Sequence, residues 1–141
     1  MMKIKKLHDL AVTPSYASSG AGCFDLAASE SVMIHSGSSQ PIGTGLAFEI
    51  PDNYVMLIFS RSGHGFKHGL RLSNSVGVID SDYRGEVKIS LHNDHPHTAY
   101  AVAIGERIAQ ALVLPVKRQT FELVKELSTT TRGSKGFGST G

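Results

Sequence analysis

Between Glu86 and His92 apolar and polar side chains alternate, with Val87, Ile89 and Leu91 on one side and Glu86, Lys88, Ser90 and His92 on the other. A period of two sends one set inward and the other to solvent, the pattern of a half-buried strand. Other strand-length apolar or β-branched runs recur between Gly, Pro, Asn and Asp: Lys3–Leu7, Ser31–His35, Leu46–Ile50, Tyr54–Phe59, Ile108–Val116 and Phe121–Val124. Pro14, Pro41, Pro51, Pro96 and Pro115, together with 15 glycines, leave almost no window in which a helical stripe could run ten residues. The pattern predicts an all-β fold, a jelly roll or barrel, with at most one short helix. No internal repeat is visible.

A length of 141 residues suits one domain and leaves no room for two independent cores. After Leu127 apolar side chains nearly vanish, so residues 128–141 cannot offset their ordering entropy by burial. The expected division is a β-barrel domain over 1–127 and a flexible, Gly/Ser/Thr-rich arm over 128–141. The richest apolar run, Ala101 to Val116, is interrupted by Glu106 and Arg107, too short for a membrane span. The basic start Met1–Asp9 lacks a following apolar stretch, so it does not read as a secretory signal. Cys23 has no partner in the chain for a disulfide, which fits a reducing compartment and a cytoplasmic location. A net charge of +2, evenly spread, does not argue for a stable nucleic-acid partner.

His92, His95 and His97 suggest a metal site at first sight. Asn93, Asp94 and Pro96 beside them are turn formers, and no cysteine or second ligand strand accompanies them, so a solvated hairpin loop is the better reading. Gly63, Gly65 and Gly69 imitate a dinucleotide fingerprint, but the last spacing is one residue long and no helix is expected to follow. Arg61-Ser62-Gly63, at the end of an apolar strand, offers a guanidinium, a hydroxyl and backbone N–H groups, the donors a phosphate needs. An ordinary surface turn explains it equally well. Gln110, amid Ala and Ile, must have its amide satisfied either by a core hydrogen bond or by a ligand. Asp80 follows Val78-Ile79 at once and precedes Asp82 and Tyr83; it is either a capping residue in a hairpin or a desolvated general base. Arg132, Lys135 and Phe137 give the C-terminal arm chemistry suited to phosphate and a stacked base, against the reading of a frayed tail.

Taken in order, these segments resemble the five motifs of the trimeric deoxyuridine triphosphate nucleotidohydrolase (dUTPase) family. Gly20-Ala21-Gly22-Cys23-Phe24-Asp25-Leu26 is similar to the first and Ser60-Arg61-Ser62-Gly63 to the second. The stretch from Gly77 to Gly85 is similar to the third, Gly105-Glu106-Arg107-Ile108-Ala109-Gln110 to the fourth, and Arg132 to Gly141 to the fifth. Cys23 and Lys135 stand where the family commonly has Gly, departures that bear on local backbone.

The resemblance implies a jelly-roll, β-clip-type protomer in a homotrimer whose three active sites each draw on all three chains. It implies Mg²⁺-dependent hydrolysis of dUTP to dUMP and pyrophosphate by water attacking the α-phosphorus, which supplies the dTMP precursor and keeps uracil out of DNA. Asp80 would orient and deprotonate that water and meet the deoxyribose 3′-OH, while Tyr83 would pack on the sugar and exclude a 2′-OH. The backbone around Gly77, Val78, Ile79 and Lys88, with Asn74 nearby, would read uracil. Arg61, Ser62, Gly63 and Gln110 would hold the phosphates, and Asp25 would act through metal-bound waters. Arg132 would reach the γ-phosphate, Phe137 would stack on uracil, and Gly138 and Ser139 would complete the arm's contacts.

Two other readings stand beside this one. A dCTP deaminase on a similar fold would release ammonia from dCTP. A binding or signalling protein would hold the nucleotide as a switch, without turnover.

Overall fold

The computed structural model describes residues 1–136 and 138. Eleven short strands and one helix follow one another: β1 (Lys3–Lys6), β2 (Phe24–Ala27), β3 (Val32–Ile34), β4 (Ser39–Gly43), β5 (Leu46–Glu49), β6 (Tyr54–Phe59), α1 (Ser62–His68), β7 (Leu70–Leu72), β8 (Gly77–Ile79), β9 (Lys88–Asn93), β10 (Tyr100–Val102) and β11 (Arg107–Pro115). All pairings are antiparallel. They form sheets in the orders β2-β11-β6-β8 and β4-β9-β7, with two-stranded ribbons β1-β5 and β10-β3. This is the all-β jelly roll expected from the pattern. Among the described residues no helix is long and apolar enough to cross a membrane.

The alternation that opened the sequence reading is the core's own. Val87, Ile89 and Leu91 are buried and join Leu26, Ile34, Ile42, Leu46, Met56, Leu70 and Ile108 in one apolar cluster. Lys88 points to solvent between them. Polar groups buried at the sheet edges are satisfied. Thr44 Oγ1 donates to the Val87 carbonyl (2.6 Å), and the Gly43 and Gly45 amides donate to Glu30 (2.5 Å) and Glu86 (2.9 Å) carboxylates. These bonds clamp the β4–β5 turn onto the chain entering β9.

Three expectations are corrected. Residues 62–68 form α1, so a helix does follow the strand and takes in Gly63 and Gly65, with Gly69 closing it in the left-handed region at φ 65°. Its only buried side chain is His64, so it carries no apolar stripe for periodicity to detect. Phe121–Val124 is not a strand: the last one ends at Pro115, and Phe121 and Leu123 are fully exposed with no neighbouring edge to pair with. The His92–His97 stretch is not a hairpin loop, because β10 pairs with β3 rather than β9. Its anchor is Asn93, fully buried, whose Nδ2 donates to the carbonyls of Ile34 (3.1 Å) and Thr98 (2.8 Å) while Oδ1 accepts from His95 N–H (3.0 Å).

Leu91 sits 1% exposed where β9 faces the core. Leu91→Ala is expected to lose about 2–5 kcal/mol of unfolding free energy by leaving a cavity. Urea denaturation should show this as a lower midpoint with an unchanged slope.

Candidate active site

The sequence-predicted residues gather in two places. At the C-terminal end of β6, Asp25, Arg61, Ser62, Gly63, Arg107 and Gln110 line a cleft of about 360 Å³. Asp25 on β2 and Gln110 on β11 are directly opposite each other, so their side chains share a face. Between Arg107 and Ala109 the register slips, so Arg107 rather than Ile108 stands opposite Ala27. The bulge turns the Arg107 side chain onto the face that Asp25 occupies. Arg107 Nη1 then reaches Asp25 Oδ2 at 3.0 Å while Arg61 Nε reaches Oδ1 at 3.0 Å. Arg61 Nη1 also donates to the Arg107 carbonyl (2.9 Å), and Gln110 Nε2 donates to the Ser60 carbonyl (2.9 Å). One carboxylate between two guanidiniums leaves the cleft with surplus positive charge, suited to a polyanion. Gln110 thus has the internal hydrogen bond that one reading demanded.

The second place is the hairpin after β8. Asn74, Gly77, Val78, Ile79 and Lys88 line a cavity of about 140 Å³. Val78, Ile79 and Lys88 also border an open hollow of about 570 Å³ shared with Asp80, Tyr83 and Glu86. Gly77 is packed so closely on β6 that a Cβ would lie 3.1 Å from Ile58 Cβ. Tyr83 donates its hydroxyl to the Glu86 carbonyl (3.0 Å), and its amide closes a turn to the Asp80 carbonyl (3.2 Å). Gly85 allows this: a Cβ there would overlap the Tyr83 hydroxyl and ring. Asp80 is exposed in the single chain. The expected desolvation is therefore absent at this level, because Asp80 lies in a turn just past the last β8 pairing, Ile79 with Met56.

The register separates the two places. β8 runs from Gly77 opposite Ile58 to Ile79 opposite Met56, so Asp80 comes level with Val55. Arg61 follows the other end of β6 in extended backbone (φ −88°, ψ 130°). At ~3.3 Å per residue the two are about 20 Å apart along the strand.

Neither Arg132 nor Gly138 borders these hollows. Arg132 Nε donates to the Lys135 carbonyl (3.0 Å), and Gly138 has φ 86°. Phe137 and Ser139 lie outside the described residues. Among the described residues only Asn53 and Ser75 are non-glycines with positive φ, so Cys23 and Lys135 need no glycine-like backbone.

The cleft residue to which sequence reasoning gives no role is Arg107, turned in by the bulge; Glu106 beside it does not line the cleft. The Glu106 carboxylate accepts from His64 Nε2 (2.7 Å), Tyr100 OH (2.7 Å) and the Ala103 amide (3.0 Å). Burial raises its pKa, but those hydrogen bonds outweigh burial and hold it below the ordinary value. Tyr100 is pushed up to about 12 by burial and by its carboxylate neighbour.

An all-β jelly roll with a cationic cleft at one end of its central strand and a tight hairpin hollow at the other defines the class. The dUTPase family model matches residues 9–141. A deoxyuridine 5′-triphosphate nucleotidohydrolase of Nautilia profundicola is 50% identical over 140 residues, covering 99% of this chain and 98% of the relative. One from Helicobacter hepaticus is 45% identical over 99% of this chain and 88% of the relative. Among solved structures, the Staphylococcus bacteriophage 80alpha dUTPase with dUpNHpp superposes with a TM-score of 0.93 at 29% identity, over 100% of this chain and 98% of that one. The chain belongs to the dUTPase family.

Gly85→Ala is expected to expel the Tyr83 ring from its seat against Glu86. Because Tyr83 is 44% exposed and its ring can swing into solvent, the cost is mainly its hydrogen bond to the Glu86 carbonyl, about 0.5–1.5 kcal/mol. Thermal unfolding of Gly85→Ala beside Gly63→Ala, whose added Cβ meets nothing within 4 Å, should show destabilisation only in the former.

Proposed function

We propose that this chain hydrolyses dUTP to dUMP and pyrophosphate; its relatives are named deoxyuridine 5′-triphosphate nucleotidohydrolases. The observation that carries the reading is the pairing of a cationic cleft with an open hairpin hollow bordered by Asp80 and Tyr83, on a chain 50% identical to a named nucleotidohydrolase. Assays of pyrophosphate release from dUTP, dCTP and dTTP, with ammonia release from dCTP, test it. Selective turnover of dUTP is the expected result; ammonia from dCTP, or dUTP binding without turnover, would overturn it. The product supplies the dTMP precursor and its removal of dUTP keeps uracil out of DNA. A cytoplasmic location accords with this role and with the free thiol of Cys23.

In this reading water attacks the α-phosphorus, forming a new P–O bond while the bond to the bridging oxygen breaks and pyrophosphate leaves. Asp80 orients the water through a carboxylate oxygen, takes its proton and meets the 3′-OH. Tyr83, braced by Gly85 and Glu86, lies against the sugar and leaves no space for a 2′-OH. Backbone groups of Gly77, Val78, Ile79 and Lys88, with Asn74 nearby, read uracil; cytosine would leave buried donors and acceptors mispaired. Arg61, Ser62, Gly63 and Gln110 hold the phosphate chain.

The same reading takes Mg²⁺ as cofactor. Among the described residues no group of three or more His, Cys, Asp or Glu could hold a metal ion. That fits a cation that arrives on substrate phosphates and keeps its waters. Asp25 has both oxygens engaged by arginine, yet each retains a lone pair for a metal-bound water. Bound there, the ion would neutralise charge on the phosphates and the departing pyrophosphate.

Asp80 must lie within ~3 Å of the attacking water, next to the phosphate clamp. The separation of about 20 Å between Asp80 and Arg61 within one chain therefore favours sites built from different copies. A homotrimer closes such a heterologous contact in a ring, with the arm over 128–141 reaching a third copy. Asp80→Asn should cut kcat by ~10² to 10⁴-fold while binding of a nonhydrolysable dUTP analogue persists. Mixing Asp80→Asn chains with Arg61→Ala chains, unfolding and refolding them together, should restore about a quarter of the sites, each drawing both intact residues from different copies. Persistent inactivity of the mixture would refute shared sites.

Residues 116–136 lie outside every strand and are exposed, so ending the chain after Thr131 removes Arg132 and Phe137 without touching the barrel. The shortened protein should keep its oligomeric state and melting temperature but lose most dUTP hydrolysis, because the arm acts by closing over bound substrate. Calorimetry and steady-state kinetics on the same preparation would separate the two effects.

A further inference from the structure

A cluster of titratable side chains sits behind the cationic cleft, and the roles assigned above do not use it. His64 is 7% exposed, and its Nε2 lies 2.7 Å from Glu106 Oε1. Tyr100 donates its hydroxyl to the same oxygen at 2.7 Å, and the Ala103 amide donates to Oε2 at 3.0 Å. With three donors facing one carboxylate, His64 Nε2 must carry a proton and give it to the bond. The other ring nitrogen, Nδ1, is buried with no partner, so the Glu106 bond is what offsets the burial of this ring. The Tyr100 ring stands edge-on to His64, with centroids 5.8 Å apart, and covers it.

The two partners belong to opposite walls of the cleft. His64 is the one buried side chain of α1, a short helix with two glycines and no side-chain hydrogen bond at its N-cap. Intrinsic propensity cannot hold seven such residues in place. Ser62 and Gly63, which open that helix, are on the cleft, and Arg61 precedes them. Glu106 immediately precedes Arg107, whose side chain holds Asp25 and whose carbonyl accepts from Arg61. The backbone of Glu106 is itself fixed, its carbonyl accepting from the Ala28 amide at 2.8 Å. The His64–Glu106 bond, together with His68 packed on the Tyr100 ring at a centroid distance of 5.0 Å, thus ties a helix of weak intrinsic propensity to β10 and the start of β11.

We propose that His64 and Glu106, with Tyr100 as brace, are positioning residues that hold α1 against β11 so that Arg61, Ser62 and Gly63 present a preformed cradle to the phosphate chain. The inference rests on the phosphate assignment made above and adds what sets that cradle's geometry. Neither residue touches substrate. Their effect is on the triphosphate end of the ligand and not on the nucleoside end, because the hairpin hollow is lined by Val78, Ile79, Asp80, Tyr83 and Lys88, none of which His64 or Glu106 contacts, and in the shared-site reading it comes from a different copy.

The test compares two ligands by calorimetry: the nonhydrolysable α,β-imido analogue of dUTP, and deoxyuridine, which carries no phosphate. His64→Leu fills the site without a donor. It should weaken the imido analogue about 10- to 100-fold, the scale expected when positioned groups shift by an ångström or so. Deoxyuridine affinity should stay within twofold of wild type, and kcat/KM for dUTP should fall with the analogue's affinity. His64→Gln, whose amide can donate to the same carboxylate oxygen, should recover most of the loss. Tyr100→Phe keeps the ring and removes one donor, so it should show a smaller loss in the same direction and carries the test if His64→Leu does not fold. Unchanged affinity for both ligands in the variants would overturn the proposal, and so would an equal loss for both, which marks general destabilisation. Failure of the wild-type protein to bind the imido analogue would instead refute the phosphate assignment itself.

Discussion

The register of β6 between its two neighbours governs how this chain can work. β6 pairs with β11 on one side and β8 on the other. Its C-terminal end delivers Arg61 and α1 to the cleft shared with β2 and β11. Its N-terminal end lies level with Asp80 and the hairpin. A one-residue slip in either pairing would turn Ile58 and Met56 out of the core, so the register is strongly specified by burial. The same burial that stabilises the barrel therefore keeps the cationic cleft and the hairpin hollow apart in one chain, the separation on which the proposal of shared sites rests.

How much of this was legible in the sequence depends on the kind of signal. The long apolar runs place β6 to the residue and β11 to within one, and the clean alternation places β9 to within two, because periodicity of two follows directly from the pleat. Phe121–Val124 misled because it has strand composition without a partner edge, and β-propensity reports only a fit to a half-buried surface. α1 was missed for the opposite reason: one polar anchor, His64, does what an apolar stripe usually does. Short strands such as β2, β7 and β8 are defined by long-range pairing and left no local pattern of their own.

The site shows the same division. Arg61 and Gln110 are legible from residue type and position, and Asp25 only from the resemblance of the ordered motifs. Arg107 is not, because its role depends on a bulge, and no composition rule predicts which residue of a strand will be doubled against its partner. Gly85 is a related case. Its requirement comes from the Tyr83 ring two positions earlier, folded back to reach the Glu86 carbonyl. Such constraints lie in side-chain geometry around a turn, where sequence offers only the presence of a glycine.

The hairpin and the cleft are organised by different interactions. The hairpin is closed on itself by Tyr83 and tied at its base by Glu86 to the Gly45 amide, with Val87 N–H donating to the Leu46 carbonyl at 2.9 Å. In the proposed reading, these ties fix the positions of the groups that would leave a wrong base unpaired or a wrong sugar without space. The cleft is instead organised by charge. Arg61 and Arg107 share Asp25, so each guanidinium is oriented before any phosphate arrives, yet both remain partly open to solvent and keep donors in hand. Preorientation lowers the reorganisation needed on binding, while the single carboxylate offsets the repulsion between the two guanidiniums in the resting protein. Removing Asp25 would thus disturb the cleft through its arginines as well as through any metal-bound water, and the two effects separate only if binding is measured with and without the cation.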